Sequence, residues 1–157
     1  MSKEKYEKLV IGMLKTIYME GYEAFLLDHA DDLCLMQEIV KKVPYDIPLV
    51  CGLDALSVKG IIAQSYLCIS SRFHGVASAF SSVVPCLTTS WNHKYQELLK
   101  LYGMEESLLS DSSDDVNAKI KLFLEKENNL KIRDRLRYKN EIIKESVKDM
   151  WKCIWNI

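Results

Sequence analysis

From Pro44 to Trp91 the chain runs 48 residues with four charges, Asp46, Asp54, Lys59 and Arg72. Such a stretch cannot lie on a surface, so it has to form the core around which everything else is arranged. Within it short apolar runs, IPLVC, YLCIS and VPCLTT, alternate with segments of helical spacing, about Asp54 to Ser65 and Phe73 to Ser81. The alternation extends outward. Tyr6, Leu9, Val10, Met13, Leu14, Ile17 and Tyr18 form a helical stripe ending near Gly21, and EAFLL reads as a strand ending at Asp28 and His29. Asp31 and Asp32 open a further helix that Pro44 ends, and His93 to Tyr102 is a helix stopped at Gly103. Strands apolar on both faces and separated by helices predict a parallel sheet covered on both sides, an α/β fold of three layers with a Rossmann-like sheet of at least four strands.

The last third differs. DSSDDVNAKI carries an N-cap signature ahead of a helix reaching about Glu127, and Asn128-Asn129 reads as its break. The expected division is a Rossmann-like domain over residues 1–128 and a C-terminal helix over 129–157 that packs on the domain or on a partner. Residues 125–157 carry nine basic and six acidic groups, a pattern expected of a solvated helix face, while Trp151, Ile154 and Trp155 call for something to pack on.

Composition narrows the function classes. The chain has 157 residues with 21 Lys+Arg against 22 Asp+Glu, so no global field draws it to nucleic acid or an anionic membrane. Apolar runs are broken well before the roughly 18 residues of a membrane span. The start MSKEKYEKL is charged where a signal peptide would be apolar, so the expected location is the cytoplasm, with attachment to the inner membrane face left open. Five scattered cysteines, Cys34, Cys51, Cys68, Cys86 and Cys153, are expected as buried free thiols, and the spacing of His29, His74 and His93 predicts no structural metal.

The segment that carries chemistry is ISSRFHGVASAFSSVVPCLTTSWNHKY. The strand YLCIS delivers Ser70, Ser71, Arg72 and His74 to its carboxyl end, directly before a helix whose small residues Gly75, Ala77, Ser78 and Ala79 allow close packing. In open α/β sheets ligands bind at that edge, and helix N-termini favour anions through their N–H groups. Arg72 can grip a carboxylate or phosphate, and His74 can exchange a proton near neutral pH.

The string SRFHGVASAFSSVVPCLTTSWNHKYQELLKLYG resembles the motif of the polysaccharide pyruvyl transferases, Ser-Arg-x-His-small, a small-residue helix, a Val/Ile-Pro strand, and Lys before a Leu-rich helix. The likeness spans about residues 22–104, with Arg72, His74, Pro85 and Lys94 its most specific part and FLLDHADDLCLMQEI, with His29 and Asp31 or Asp32, a weaker upstream match. It implies the C-terminal half of a two-domain, GT-B-type transferase. The implied reaction moves pyruvyl from phosphoenolpyruvate to two sugar hydroxyls as a ketal, in surface or exopolysaccharide biosynthesis. His74 would be the general acid, Arg72 with Ser70 and Ser71 would hold phosphate or carboxylate, and Lys94 and His29 would assist. No cofactor is implied beyond phosphoenolpyruvate as donor. The expected partners are that donor, a sugar or lipid-linked saccharide acceptor, and an N-terminal domain or partner chain without which turnover is expected to be negligible; a homodimer is a further expectation. Two other readings stay open: half of a GT-B glycosyltransferase using a sugar nucleotide, and a non-catalytic partner subunit.

Overall fold

A computed structural model describes residues 2–28, 32–89, 92–109 and 112–155. Among the described residues seven helices and four short strands follow in order: α1 Lys3–Met19, β1 Leu26–Leu27, α2 Leu33–Val40, β2 Leu49–Val50, α3 Ala55–Gln64, β3 Cys68–Ser70, α4 Phe73–Ser81, β4 Cys86–Thr88, α5 His93–Tyr102, α6 Ser113–Leu124 and α7 Lys126–Trp155. A 3₁₀ turn, Glu105–Ser107, links α5 towards α6.

The expected three-layer Rossmann-like sheet is not formed. The protein is mostly helical, and its strands make two separate two-stranded parallel sheets, β1 with β2 and β3 with β4. Strands and helices do alternate as expected, but strands of two or three residues make few ladder bonds, and the apolar residues are used instead between helices. Pro48 and Pro85 precede β2 and β4 and have no N–H to lengthen a ladder; their carbonyls accept from Leu26 N–H and Cys68 N–H at 2.9 Å. Between β1 and β3, where a continuous sheet would have to close, lies a cleft of about 1030 Å³.

The larger core surrounds α4. Val76, Ala79 and Phe80 of that helix are fully buried, and they pack with Leu87 of β4, Ile120 and Phe123 of α6, and Ile132 and Leu136 of α7. β3, β4, α3, α5 and α7 all approach this same short helix, on which Gly75 and Ala79 are buried. A smaller core joins Leu14 of α1, Ile39 of α2 and Ile47. The helix starts follow ordinary capping chemistry: the Asp54 carboxylate accepts from Leu56 and Ser57 N–H at 2.8 and 3.0 Å, and Asn92 Oδ1 accepts from Lys94 N–H at 3.1 Å.

Two further expectations are corrected. The chain does not break at Asn128-Asn129: α7 starts at Lys126, and Asn129 is buried inside it, donating to Phe123 O and Tyr66 O at 2.9 and 3.2 Å. The change of direction comes at Glu125, whose ψ of 125° ends α6. Of the cysteines only Cys86 is fully buried; Cys68, its register partner on β3, is half-buried, and Cys34, Cys51 and Cys153 are exposed.

Candidate functional site

Ser70 ends β3, and its hydroxyl closes a small turn on Arg72, accepting from the Arg72 N–H and donating to the Arg72 carbonyl, both at 3.1 Å. Ser71 is held from two sides. Tyr95 of α5 donates its hydroxyl to the Ser71 carbonyl at 2.8 Å, and Tyr6 of α1 donates to the Ser71 hydroxyl at 3.3 Å. Arg72 then stands as the N-cap of α4, extended at φ −106° and ψ 131°, and its side chain makes no capping hydrogen bond to this helix start.

The Arg72 guanidinium reaches across the cleft. Its Nη2 donates to Asp32 Oδ2 at 2.6 Å, with both side chains about half exposed, and this carboxylate holds the guanidinium above even its ordinary pKa. Asp32 begins α2 without capping it, since its carboxylate is turned to Arg72 instead. The cleft between them is lined on one side by Ser70, Ser71, Arg72 and Gly75 and on the other by Leu26, Leu27 and Asp32, with Tyr6 and Val10 of α1 as its floor.

Three of the residues that sequence reasoning singled out thus come together, Ser70, Ser71 and Arg72. His74 sits in the first turn of α4, exposed, its ring edge-on to Phe73 at 5.9 Å, and it does not line the cleft. Lys94 lies exposed in the first turn of α5, also outside that lining. His29 lies outside the described residues, as do Asp31 and Trp91. His93 is the exposed first residue of α5, 4.0 Å from Glu97. In sequence Tyr6 is one member of a helical stripe and Tyr95 lies within the helix from His93 to Tyr102, and nothing in their spacing distinguishes a tyrosine that positions the turn from one that fills the core.

Among the described residues no cluster of three or more His, Cys, Asp or Glu is placed to hold a metal ion, and no helix is long and apolar enough to cross a membrane. No protein-family model, curated protein or solved structure matches the chain. The likeness to pyruvyl transferases therefore rests on the motif residues within about 22–104 alone, Arg72, His74, Pro85 and Lys94 above all.

Proposed function

We propose that the chain forms the phosphoenolpyruvate-binding wall of a pyruvyl transferase acting on a saccharide. What supports this reading is Arg72: a permanent cation on the β3–α4 turn, facing a cleft at a helix start that its side chain does not cap, in a segment that reads Ser-Arg-x-His-Gly. Phosphoenolpyruvate presents two anionic groups, and a guanidinium matches either in bidentate fashion. Asp32 engages Nη2, so the unliganded pair keeps the guanidinium oriented towards the cleft until a substrate anion displaces the carboxylate. A volume of about 1030 Å³ has room for the donor together with part of a sugar.

The chemistry requires one acid and several cations. A proton delivered to the methylene carbon makes C2 electrophilic; a sugar hydroxyl adds there and gives up its proton. Phosphate then leaves, and a second hydroxyl closes the ketal. In this reading His74 supplies the first proton and Lys94 further positive charge, from the solvent-facing turns of α4 and α5. Saccharide, or a second protein wall, completes the site from that side.

Binding is the direct test. Titration with phosphoenolpyruvate should move the amide signals of residues 70–75, and Arg72→Ala should weaken the affinity by roughly tenfold or more. Where an added N-terminal domain or partner chain gives turnover on a panel of nitrophenyl or lipid-linked glycosides, His74→Ala should keep donor binding and lose phosphate release. Signals that ignore phosphoenolpyruvate and inorganic phosphate would overturn the reading, and signals that respond only to a nucleoside diphosphate sugar would replace it with the glycosyltransferase alternative.

A further inference from the structure

Two of the five cysteines stand side by side. Cys68 opens β3 and Cys86 opens β4, and they are register partners in the parallel ladder, where the Cys68 N–H donates to Pro85 O at 2.9 Å. Register partners on neighbouring strands point to the same face of a sheet. A strand spacing of about 4.8 Å also lies inside the Cα separation of roughly 4.4 to 6.8 Å that a disulfide spans. The side chains do meet: a hydrogen bond with Cys86 holds the Cys68 thiol below its ordinary pKa, while burial, and then the same contact, pushes the Cys86 thiol well above its own. Access divides them in the same sense. Cys86 is fully buried, its Sγ 3.5 Å from the Leu87 carbonyl, whereas Cys68 is half-buried and lines the cleft, two residues before Ser70 on the same face of β3. One sulfur is open to a small solute and the more readily ionised; the other lies beside it, protonated and shielded.

We propose that Cys68 and Cys86 are a site of reversible oxidation in the cleft wall, forming a disulfide when hydrogen peroxide enters the cleft. The Cys68 thiolate attacks one peroxide oxygen and the O–O bond breaks. The departing hydroxide takes up the proton that Cys68 released, and a sulfenic acid remains on Cys68. The Cys86 sulfur then attacks the Cys68 sulfur, the S–O bond breaks, and the second hydroxide leaves with the Cys86 proton. The two thiols lose two electrons and two protons in all, the peroxide gains them, and two waters form. Cys34, Cys51 and Cys153 lie on α2, after β2 and on α7, outside this ladder.

The test separates the pair from those exposed thiols. In a chain carrying Cys34→Ser, Cys51→Ser and Cys153→Ser, hydrogen peroxide should remove the mass of two hydrogens from the monomer and leave no thiol for N-ethylmaleimide after denaturation. Dithiothreitol should then restore both thiols. Adding Cys86→Ala to that chain should stop the reaction at a Cys68 sulfenic acid that dimedone traps. Adding Cys68→Ala instead should slow peroxide consumption about tenfold or more, since the remaining thiol is shielded and protonated. The wild-type chain needs no core substitution: after peroxide, peptide mapping should recover the Cys68 peptide joined to the Cys86 peptide. The proposal is overturned if both thiols still alkylate once the exposed cysteines of the wild-type chain have oxidised. A gain of oxygen, or a covalent dimer, in place of the loss of two hydrogens overturns it as well.

Discussion

Arg133 donates to four acceptors on three segments: Asn129 Oδ1 at 2.9 Å, Val83 O at 3.1 Å, and Ser65 O and Tyr66 O at 3.0 Å. Its guanidinium also lies 5.9 Å from the centre of the Tyr66 ring. Burial lowers its pKa from the ordinary range, but a guanidinium stays charged at any physiological pH. The carbonyls it serves follow α3 and α4, where backbone oxygens have no partners within the helix. In sequence Arg133 is one basic residue among nine on a face expected to be solvated, because spacing shows which side of a helix a residue occupies and not which distant carbonyls wait there. Arg133→Ala should cost about 2–3 kcal/mol in urea unfolding, since several half-buried carbonyls lose a charged donor. Arg133→Lys should recover less than half of it, as one ammonium cannot span three segments. A loss within about 0.5 kcal/mol for Arg133→Ala, the range of ordinary surface changes, would mean that water replaces the guanidinium without penalty.

Helix ends account for much of how the elements join. After α5, Gly103 N–H bonds to Lys100 O at 3.0 Å and Met104 N–H to Leu99 O at 2.8 Å, with Gly103 left-handed at φ 63°. The same pair of bonds ends α4, from Val83 N–H to Phe80 O and from Val84 N–H to Ala79 O, but there a valine holds φ 62°. A β-branched residue in that region is strained, and the Arg133 bond to Val83 O helps to keep it there. Gly103→Ala should destabilise by about 1 kcal/mol, read as a lowered unfolding midpoint with an unchanged denaturant slope. The added Cβ would meet the Lys139 side chain at 3.6 Å, an ordinary contact, so the cost comes from the backbone alone. A neutral result would mean that the turn relaxes out of the left-handed region. These local signals explain why α4 and α5 are legible in sequence to their end residues, with Gly103 as stop. Sheet pairing is not local, and nothing in IPLVC or YLCIS reveals how few of its residues enter a ladder or that β1 and β3 stay apart. The site divides in the same way. The Ser70-Ser71-Arg72 turn is read from adjacent residues, whereas Asp32 and Tyr6 reach it from 40 and 65 positions away in the chain.

At the scale of the whole molecule, α1 is the wall between two cores of unequal size. Its Met13 belongs to the large core around α4, while the neighbouring Leu14 belongs to the small one with Ile39 and Ile47. The segment from Ala24 to Val50, with β1, α2 and β2, is tied to the rest by that small core, by the Lys3–Glu38 and Lys42–Glu7 pairs and the Tyr18–Tyr45 stack on α1, and by the Arg72–Asp32 bridge across the cleft. Opening this segment exposes far less apolar surface than opening α4, so its opening free energy should be much the lower of the two. In native-state hydrogen exchange, Leu26 and Asp28, which donate to Pro48 O and Val50 O at 2.9 and 2.8 Å, should exchange about a hundredfold or more faster than Cys68 and Val84, which donate to Pro85 O and Ala79 O at 2.9 and 2.8 Å. Arg72→Ala removes a half-exposed ion pair worth at most about 1 kcal/mol, so it should speed exchange in β1 and α2 by up to about fivefold and leave α4 unchanged. An anion that enters the cleft and binds both walls should slow exchange in that segment selectively. Equal protection across residues 24–50 and the α4 core would show that the two cores open as one unit, and the cleft would then be a fixed surface instead of the seam along which this protein yields.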